Sequence, residues 1–475
     1  MTSIAGLVAA DAILAALGAS LLMAFGAWDR LPRWSRPGPA LLAGFAAAAT
    51  VLPPLLYVGV GPTPIVVGAL AAVSLAAGAA IRRRAERARP DVSGGGAIAG
   101  LVLAVLLVPF SARAALEPVV KFDAYADWSL KARLIYGHGG LILGALDPQT
   151  LGAAYQAGHR EYPLGLPTTE AFLFHLSGGA GSRVIHLQAL AILLAFAATT
   201  WSLLRPRVDP AILGACLCLL VVSPSLHTQV LSTYADVPLA SLWALAACCL
   251  GLWLAGDGGD RLALATLFAA AALAVKQEGI PLDLALYAVA LACVCATRQR
   301  ARLPGLALSA AVVAASAVPW QVRTRTLGLH DADIDPSAGR MSHQTHTVPS
   351  IVHRLAVELL GTRWPGIVPL AIVAALWLVW RQRDRVALAF LALLATSSLA
   401  LVLIYWNARI PVHGLLVESA ERVVLGPVFL AVIALPLLLD RAVRAAAPVL
   451  APPQAADARA WRPTGRPRPR QREQA

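Results

Sequence analysis

One polar stretch in an otherwise apolar chain gathers residue types that carry out proton transfer and bind anions. The segment FDAYADWSLKARLIYGHGG begins at Phe122, and the segment HREYPLGLP begins at His159. Together they supply six ionisable residues: Asp123, Asp127, Lys131, Arg133, His159 and Glu161. Because ionisable groups are costly near a membrane, charge this dense between apolar runs indicates a reaction site. The competing interpretation is a solvated amphipathic connector.

Three further charged groups stand where apolar runs begin or end. STYADVPLA contains Asp236, AVKQEGIPL contains Lys276 and Glu278, and ESAERVVLGP contains Glu421 and Arg422. A carboxylate can accept a proton from a hydroxyl or an amine, and Lys and Arg can stabilise the charge that develops on a phosphate. Taken singly, each of these groups could instead be an interfacial charge whose head reaches water.

The composition is typical of a membrane protein rather than a soluble enzyme. Of the 475 residues, 58% are hydrophobic and 14% are charged, and the mean hydropathy is +0.68. Apolar runs repeatedly reach the ~20 residues that cross a bilayer. The net charge of +13 comes from arginines in short connections and near the C-terminus. There they would face anionic lipid, so no nucleic-acid partner is expected.

The hydropathy pattern predicts an all-α fold, a polytopic transmembrane helical bundle with about thirteen spans. The predicted spans are 4–27, 40–58, 62–81, 95–114, 185–204, 211–228, 236–255, 262–276, 280–297, 303–320, 365–380, 386–405 and 422–440. The first is interpreted as a span rather than a cleaved signal. The predicted units are N-terminal transmembrane helices at 1–92, a catalytic module at 93–320 with an external loop at 115–184, an external loop at 321–364, C-terminal transmembrane helices at 365–441 and a basic, disordered cytoplasmic tail at 442–475.

Arginine placement predicts which end of the bundle faces the cytoplasm. Arginine clusters fall in alternate connections, among them 30–36, 82–89 and 298–302, and the positive-inside rule assigns these connections to the cytoplasmic side. All three lysines of the chain map to the opposite side, together with the acids of the polar segments. Charges that only solvate the surface would not sort in this way, so one external site is predicted.

In the order of these motifs the chain resembles the GT-C class of membrane glycosyltransferases, in the group of the aminoarabinose transferases and protein O-mannosyltransferases. In that class an acidic motif and a His/Lys-Pro-like segment lie in the first external loop, and FDAYADW and HREYPLGLP occupy those places. Asp236 matches a second acidic residue at the start of a later span, KQEGIP a Lys-Gly-Pro-like turn, and ERVVLGP an Arg-rich entry to a late span. The resemblance covers residues 93–440 in motif order and topology.

The resemblance implies transfer of a sugar from a polyprenyl-phosphate donor to a glycan, lipid or protein acceptor at the external face of the cytoplasmic membrane. Asp123 is the expected base, and Asp127 or Asp236 would orient the acceptor. If a divalent cation is bound, Asp123 and Asp236 are its expected ligands. Lys276 and Arg422 form the expected phosphate clamp. The expected substrate-binding residues are Lys131, Arg133, His159, Glu161, Tyr162 and Glu278.

Interfacial helices are expected in the first external loop, with Trp128, Leu130, Leu134 and Ile135 facing the lipid boundary. The long connection 321–364 is expected to be a mobile polar lid or an acceptor platform. Two alternatives stay open at this point. An O-antigen ligase or polymerase would depend on external residues such as Arg409 and His413, and a transporter or flippase would need ionisable groups near mid-membrane.

Overall fold

The computed structural model describes residues 3–81, 94–116, 123–138, 159–329, 334 and 338–450. Within those residues the chain folds into α-helices and contains no β-strand. The helices are α1 Ile4–Phe25, α2 Pro37–Tyr57, α3 Pro64–Ile81, α4 Gly94–Leu116, α5 Ser129–Gly137, α6 Gly165–Ser177, α7 Ser182–Leu204, α8 Pro210–Val221, α9 Pro224–Ser232, α10 Asp236–Leu254, α11 Gly259–Val275, α12 Gly279–Ala296, α13 Leu303–Thr326, α14 Ala338–His343, α15 Val348–Leu360, α16 Ile367–Gln382, α17 Arg385–Trp406, α18 Val412–Val423 and α19 Leu425–Leu450. The prediction of an all-α fold is confirmed.

Nine of the described helical segments are long and apolar enough to cross a membrane, or ten if one bent pair is counted as a span. They indicate a multi-pass membrane protein. The segments predicted as 262–276 and 365–380 form α11 and α16, which are shorter than the 18 residues of a full span. The predicted span 211–228 is instead two helices, α8 and α9, with a bend of 62° between them.

The bend between α8 and α9 has a local cause in the sequence. Ser223 is extended and precedes Pro224, which lacks a backbone N–H and therefore starts a new helix more readily than it continues one. Thr233 then ends α9 in the left-handed region at φ 56°. As a result the chain turns sharply just before Asp236, the first residue of α10.

α10 is the central helix, and it is buried along most of its length. In its apolar stretch 89% of residues lie inside the protein, whereas only 17% do so in α3. α10 packs against α7, α11, α12 and α19. A helix that is apolar on all sides belongs in such a centre, while α3 presents its apolar side chains to the surroundings, as a lipid-facing helix does.

Glycines allow close contact where the N-terminal helices cross. A Cβ on Gly18 would lie 1.8 Å from the Ala40 carbonyl oxygen, and one on Gly44 would lie 1.7 Å from that of Leu14. Small residues at such crossings let membrane helices approach until their backbones touch. α1 and α2 therefore form a tight pair, against which α3 and α6 pack.

The C-terminal part departs from the predicted boundaries. α13 continues to Thr326, so the predicted loop 321–364 starts inside a helix, and much of its remainder forms α14 and α15. α15 buries Ile351, Leu355 and Leu359 and packs on α17 and α18. The expectation of a mobile loop is therefore wrong for α15, because these apolar residues recur at helical spacing and have a surface to cover. α19 continues to Leu450, past the predicted start of the tail at residue 442, and residues 451–475 lie outside the described residues.

Candidate functional site

The two ends of α10 define the two ends of the bundle. α10 has 19 residues, so its ends are about 28 Å apart at 1.5 Å per residue. Asp236 opens the helix, while Asp257 and Asp260 follow its last turn. We refer to these as the Asp236 end and the Asp260 end. The predicted site residues can be placed relative to them.

Five charged residues from four chain segments meet at the Asp236 end. They are Asp123 before the first turn of the external segment, Asp236 at the start of α10, Lys276 and Glu278 between α11 and α12, and Arg422 near the end of α18. We name this group the Asp236 cluster. The structure brings Asp123, Asp236, Lys276 and Arg422 together through ion pairs and the attraction between Arg422 and Asp236. The predicted pocket that opens to the outer aqueous side and to lipid stays a prediction.

Lys276 is held between two carboxylates. Its Nζ lies 2.8 Å from Asp236 Oδ1 and 2.7 Å from Glu278 Oε1. Its side chain is only 7% exposed, so it does not extend to an interface as a snorkelling lysine would. Burial lowers the pKa of Lys276, but the two adjacent carboxylates outweigh it and hold the pKa above its ordinary value. Lys276 therefore keeps its charge.

Arg422 links Asp123 to the rest of the Asp236 cluster. It forms an ion pair with Asp123, and its guanidinium lies 4.4 Å from the centre of the Tyr234 ring. Asp236 also attracts it electrostatically. The sequence analysis did not identify Tyr234. The available signal was its position, because an aromatic ring two residues before Asp236 is well placed to contact a cation at the same helix start.

A second group lies beside the first and comes from the external segments. Asp127, Lys131, His159, Glu161 and Tyr162 make up this Lys131 cluster. Lys131 is fully buried, donates to the His159 carbonyl oxygen at 2.5 Å and lies 5.6 Å and 5.7 Å from the Trp128 and Tyr162 ring centres. Burial lowers the pKa of Lys131 to about 8, against the pull of Asp127 and Glu161.

The two carboxylates of the Lys131 cluster differ in their environment. Burial raises the pKa of Asp127, and Lys131 and His159 offset this only in part. Burial also raises the pKa of Glu161, but the hydrogen bond from His159, at 3.1 Å, leads a set of interactions that bring it below the ordinary value. Asp127 Oδ1 is buried and has no hydrogen-bond partner among the described residues. Asp127 is thus the more basic of the two.

The two clusters are joined at the turn between α11 and α12. The Gln277 side chain donates to the Glu161 carbonyl oxygen at 2.8 Å. Gly165 makes this approach close, since a Cβ there would lie 2.4 Å from the Ala274 carbonyl oxygen and 2.8 Å from that of Ala49. The segment after His159 is therefore pressed against the bundle near Lys276.

Trp128, Leu134 and Ile135 do not face lipid. They are 2%, 7% and 0% exposed and belong to the protein core, so that part of the sequence prediction is wrong. The helix itself is present as α5, preceded by a π-helical turn at Ala124–Trp128. The apolar face of α5 packs on α6, because a neighbouring helix removes apolar side chains from water as well as a bilayer does.

Arg133 forms no described ion pair with the acids of the Asp236 cluster. Its guanidinium lies 5.2 Å from the Tyr125 ring centre, and its charge acts on Glu170 in α6. Glu170 is 3% exposed, and burial raises its pKa to about 8. Glu170 was missed because it lies within the apolar run of α6 and has no charged neighbour in sequence.

A small apolar groove adjoins the two clusters. Its lining includes Pro53, Tyr57, Leu164, Gln277, Ile280 and Trp320. Gln277 is the polar residue that the groove shares with the link to Glu161. The groove is partly open to the surroundings, and most of its lining is apolar.

The described residues do not fit a metal centre. Within the described part of the chain no group of three or more His, Cys, Asp or Glu side chains could hold an ion. Asp123 and Asp236, the expected ligands, pair instead with Arg422 and Lys276. Residues 139–158, 330–333 and 335–337 lie outside the described residues.

Comparisons with models of protein families, with curated proteins and with solved structures each find no match.

Proposed function

We propose that the protein is an integral membrane glycosyltransferase. It would transfer a sugar from a polyprenyl-phosphate donor to an acceptor at the Asp236 end of the bundle. The observation that carries this proposal is the convergence of the Asp236 cluster from four chain segments beside an apolar groove. A donor with a charged phosphate and an apolar chain needs both kinds of surface at one place.

Asp123 is the proposed general base. A hydroxyl or amine of the acceptor attacks the anomeric carbon of the sugar, its proton passes to the Asp123 carboxylate, and the bond from that carbon to the phosphate oxygen breaks. The Asp123 side chain is 29% exposed, whereas that of Asp236 is 3% exposed. An incoming acceptor could therefore reach Asp123 more easily.

Lys276 and Arg422 are the proposed stabilisers of the departing phosphate. An ammonium group has three donors, and the two carboxylate contacts of Lys276 leave one of them for a ligand. Arg422 Nε is buried and has no hydrogen-bond partner among the described residues. Each cation thus retains a donor, and the carboxylates hold both cations in position before the phosphate arrives.

The Lys131 cluster would bind the sugar or the acceptor. His159 and Tyr162 stack with their ring centres 4.5 Å apart, and Trp128 lies next to Tyr162 at 5.6 Å. Lys131, Glu161 and Asp127 add one donor group and two acceptor groups around these rings. Polar hydrogen-bonding groups around an aromatic surface suit a polyhydroxylated ligand.

The ligase or polymerase alternative is less well supported. It depends on Arg409 and His413, which are exposed and precede or begin α18, outside the buried Asp236 cluster. A transporter or flippase would instead need ionisable groups within the spans, and Asp283 in α12 is such a group. The Asp236 cluster at one end of the bundle favours the transferase.

The test uses a strain that lacks the gene. Mass spectrometry should show an accumulated polyprenyl-phosphate sugar and a loss of the matching surface glycan. The wild-type chain should restore both, and Asp123→Asn, which keeps the shape but removes the base, should lower turnover by about 10²–10⁴-fold. Asp257→Asn at the Asp260 end is the matched control and should restore both. An unchanged lipid pool in the deletion strain contradicts the function, and full restoration by Asp123→Asn contradicts only the base.

The proposed external orientation can be tested separately. Single cysteines at His413 and at His138, both exposed at the Asp236 end, should react with a membrane-impermeant maleimide on intact cells. The six natural cysteines are free thiols, so they are first replaced by serine or alanine. A cysteine at Arg381, at the opposite end of α16, should react only after the membrane is opened. Labelling of Arg381→Cys on intact cells would reverse the orientation.

A further inference from the structure

Arginine and tryptophan side chains pair repeatedly at the Asp260 end. The pairs are Arg36 over Trp28 at 4.8 Å, Arg205 over Trp34 at 5.7 Å, Arg302 over Trp253 at 5.1 Å and Arg381 over Trp380 at 5.3 Å. At the Asp236 end the described arginines lie over tyrosine rings instead. Tryptophan is enriched at the level of the lipid headgroups, and arginine in the connections of one side of a membrane protein. The pairs therefore mark the headgroup level at the Asp260 end.

One side of α16 carries an exposed apolar stripe that ends at this level. Leu370, Val373, Leu376 and Trp380 are between 47% and 75% exposed, and their spacing of three or four residues places them on one face of the helix. The opposite face of α16 is buried and packs on α17 and α19. Leu370 and Trp380 are about 15 Å apart along the helix axis. This is about half of the ~30 Å hydrocarbon core of a bilayer, so the stripe matches the depth of one leaflet.

Three arginines follow the stripe in the turn between α16 and α17. Arg381, Arg383 and Arg385 are exposed, and no carboxylate among the described residues forms an ion pair with any of them. Asp384, the acid of this turn, pairs with Arg441 at 2.6 Å and caps the first turn of α17. The three arginines therefore keep their charge and their N–H donors for a ligand. Guanidinium groups bind phosphate oxygens through such donors.

We propose that this face of α16 is a binding site for an anionic phospholipid of the leaflet at the Asp260 end. The lipid phosphate contacts Arg381, Arg383 and Arg385, and one acyl chain lies along the stripe from Trp380 toward Leu370. An anionic headgroup is favoured over a zwitterionic one, because the latter would bring its own cation next to three unpaired arginines. The proposed glycosyl transfer takes place at the opposite end of the bundle, so the two proposals stand independently.

Fluorescence quenching of the full chain in lipid nanodiscs tests the site. The nanodiscs consist of phosphatidylcholine with a small fraction of a dibrominated lipid, and the Trp380 signal is the difference between the wild type and Trp380→Phe. Dibrominated phosphatidylglycerol should quench this signal at a mole fraction lower by about tenfold or more than dibrominated phosphatidylcholine. Equal quenching by the two lipids would overturn the proposal. So would the absence of quenching by either, which is the result expected if a second copy of the chain covers the stripe.

Two matched double variants separate a discrete site from the general attraction of the arginines for anionic lipid. Arg381→Gln/Arg383→Gln should abolish the preference for phosphatidylglycerol. Arg298→Gln/Arg300→Gln is the control, because it removes the same charge from another exposed turn of the Asp260 end. Each pair also contains one residue in the left-handed region, Arg383 at φ 51° and Arg298 at φ 56°. The control should leave the preference nearly unchanged, and an equal loss in both variants would refute a discrete site.

The wild-type chain provides a further measurement that needs no variant of the arginines. Salt screens exposed charges, and the screening length falls from about 10 Å at 0.1 M to about 3 Å at 1 M. The preference of the Trp380 site for phosphatidylglycerol should therefore decrease over this range, while quenching by phosphatidylcholine stays the same. A preference that salt does not change would overturn the role of Arg381, Arg383 and Arg385.

Discussion

The two ends of the bundle use the same kind of ion pair with opposite balances of charge. At the Asp260 end, Arg30, Arg207 and Arg261 surround Asp257 and Asp260. At the Asp236 end, Lys276 and Arg422 are shared among the carboxylates Asp123, Asp236 and Glu278. Cations are in excess at the first end and acids at the second.

The difference in charge balance separates ion pairs that membrane topology accounts for from ion pairs that it does not. Arginines in alternate connections are expected from membrane topology, and the acids of the Asp260 end neutralise them. No topological rule calls for a surplus of carboxylates at the Asp236 end. One of them, Asp236, is buried, and a buried carboxylate is costly to maintain, which is why we assign the proposed transfer to this end.

The largest expected effect comes from removing the shared cation of the Asp236 cluster. Lys276→Met leaves the buried Asp236 and the half-buried Glu278 without the ammonium that they share, and breaking a buried pair costs about 3–5 kcal/mol. Arg207→Met at the other end affects a side chain that is 35% exposed and should cost about 1 kcal/mol or less. Thermal unfolding in detergent, followed by tryptophan fluorescence, measures both. Equal losses of stability would break the comparison between the two ends.

A smaller effect is expected from Glu170→Gln, which should remove about 1–3 kcal/mol of the loss in unfolding free energy that the wild type shows between pH 5 and pH 8. Between the ordinary pKa of a glutamate and about 8, the unfolded chain ionises Glu170 while the folded chain holds its proton. The wild type should therefore lose stability as pH rises through this window, and Glu170→Gln should not. The measurement is the difference in unfolding free energy at pH 5 and pH 8.

Glu161→Gln is the matched control for Glu170→Gln, with the opposite sign. The pKa of Glu161 is lowered in the fold, so its contribution is present above the ordinary glutamate pKa and is lost as pH falls below it. The wild type should therefore have a higher unfolding free energy than Glu161→Gln at neutral pH, and this difference should disappear only in acid. The same pH profile in both variants would show that Glu170 is not an additional protonated acid of the Asp236 end.

The smallest effect is expected at the rim of the Asp236 end. Arg363 lies 2.5 Å from Glu421, next to Arg422, but its side chain is 52% exposed. Such a pair contributes about 0.2–1 kcal/mol, so Arg363→Ala should leave both unfolding and transfer activity nearly unchanged. A large loss of activity would extend the site to the connection between α15 and α16.

The all-α fold and the grouping of the charges could be predicted from the sequence, because they follow from simple periodic signals, whereas the thirteen predicted spans exceed the nine or ten candidates among the described residues. Apolar runs mark helices, and alternation places Asp236, Lys276 and Arg422 at one end. The break between α8 and α9 was harder to predict, because the average hydropathy stays high across Ser223 and Pro224. Hydropathy measures how apolar a segment is and carries little information on its direction.

The partners of each side chain could not be predicted. Tyr234 under Arg422, and Gln277 on the Glu161 carbonyl, depend on contacts between segments far apart in the chain. The burial of Trp128 and Ile135 was also beyond the sequence, because an amphipathic pattern does not distinguish a lipid surface from a neighbouring helix. Asp283 and Glu170 were missed for the related reason that single acids within apolar runs hardly change the average.

Gly165 gives the site a vulnerability that involves no charged group at all. At Gly165 the backbone of the external segment contacts the backbones of α2 and α11 so closely that a methyl group would not fit between them. An alanine there would push the Lys131 cluster away from the Asp236 cluster by a fraction of an ångström or more, while every acid and base stays in the sequence. A misplacement of about 1 Å can lower a reaction rate by about 10²-fold. The spacing between the two clusters therefore depends on residue 165 having a hydrogen atom in place of a side chain.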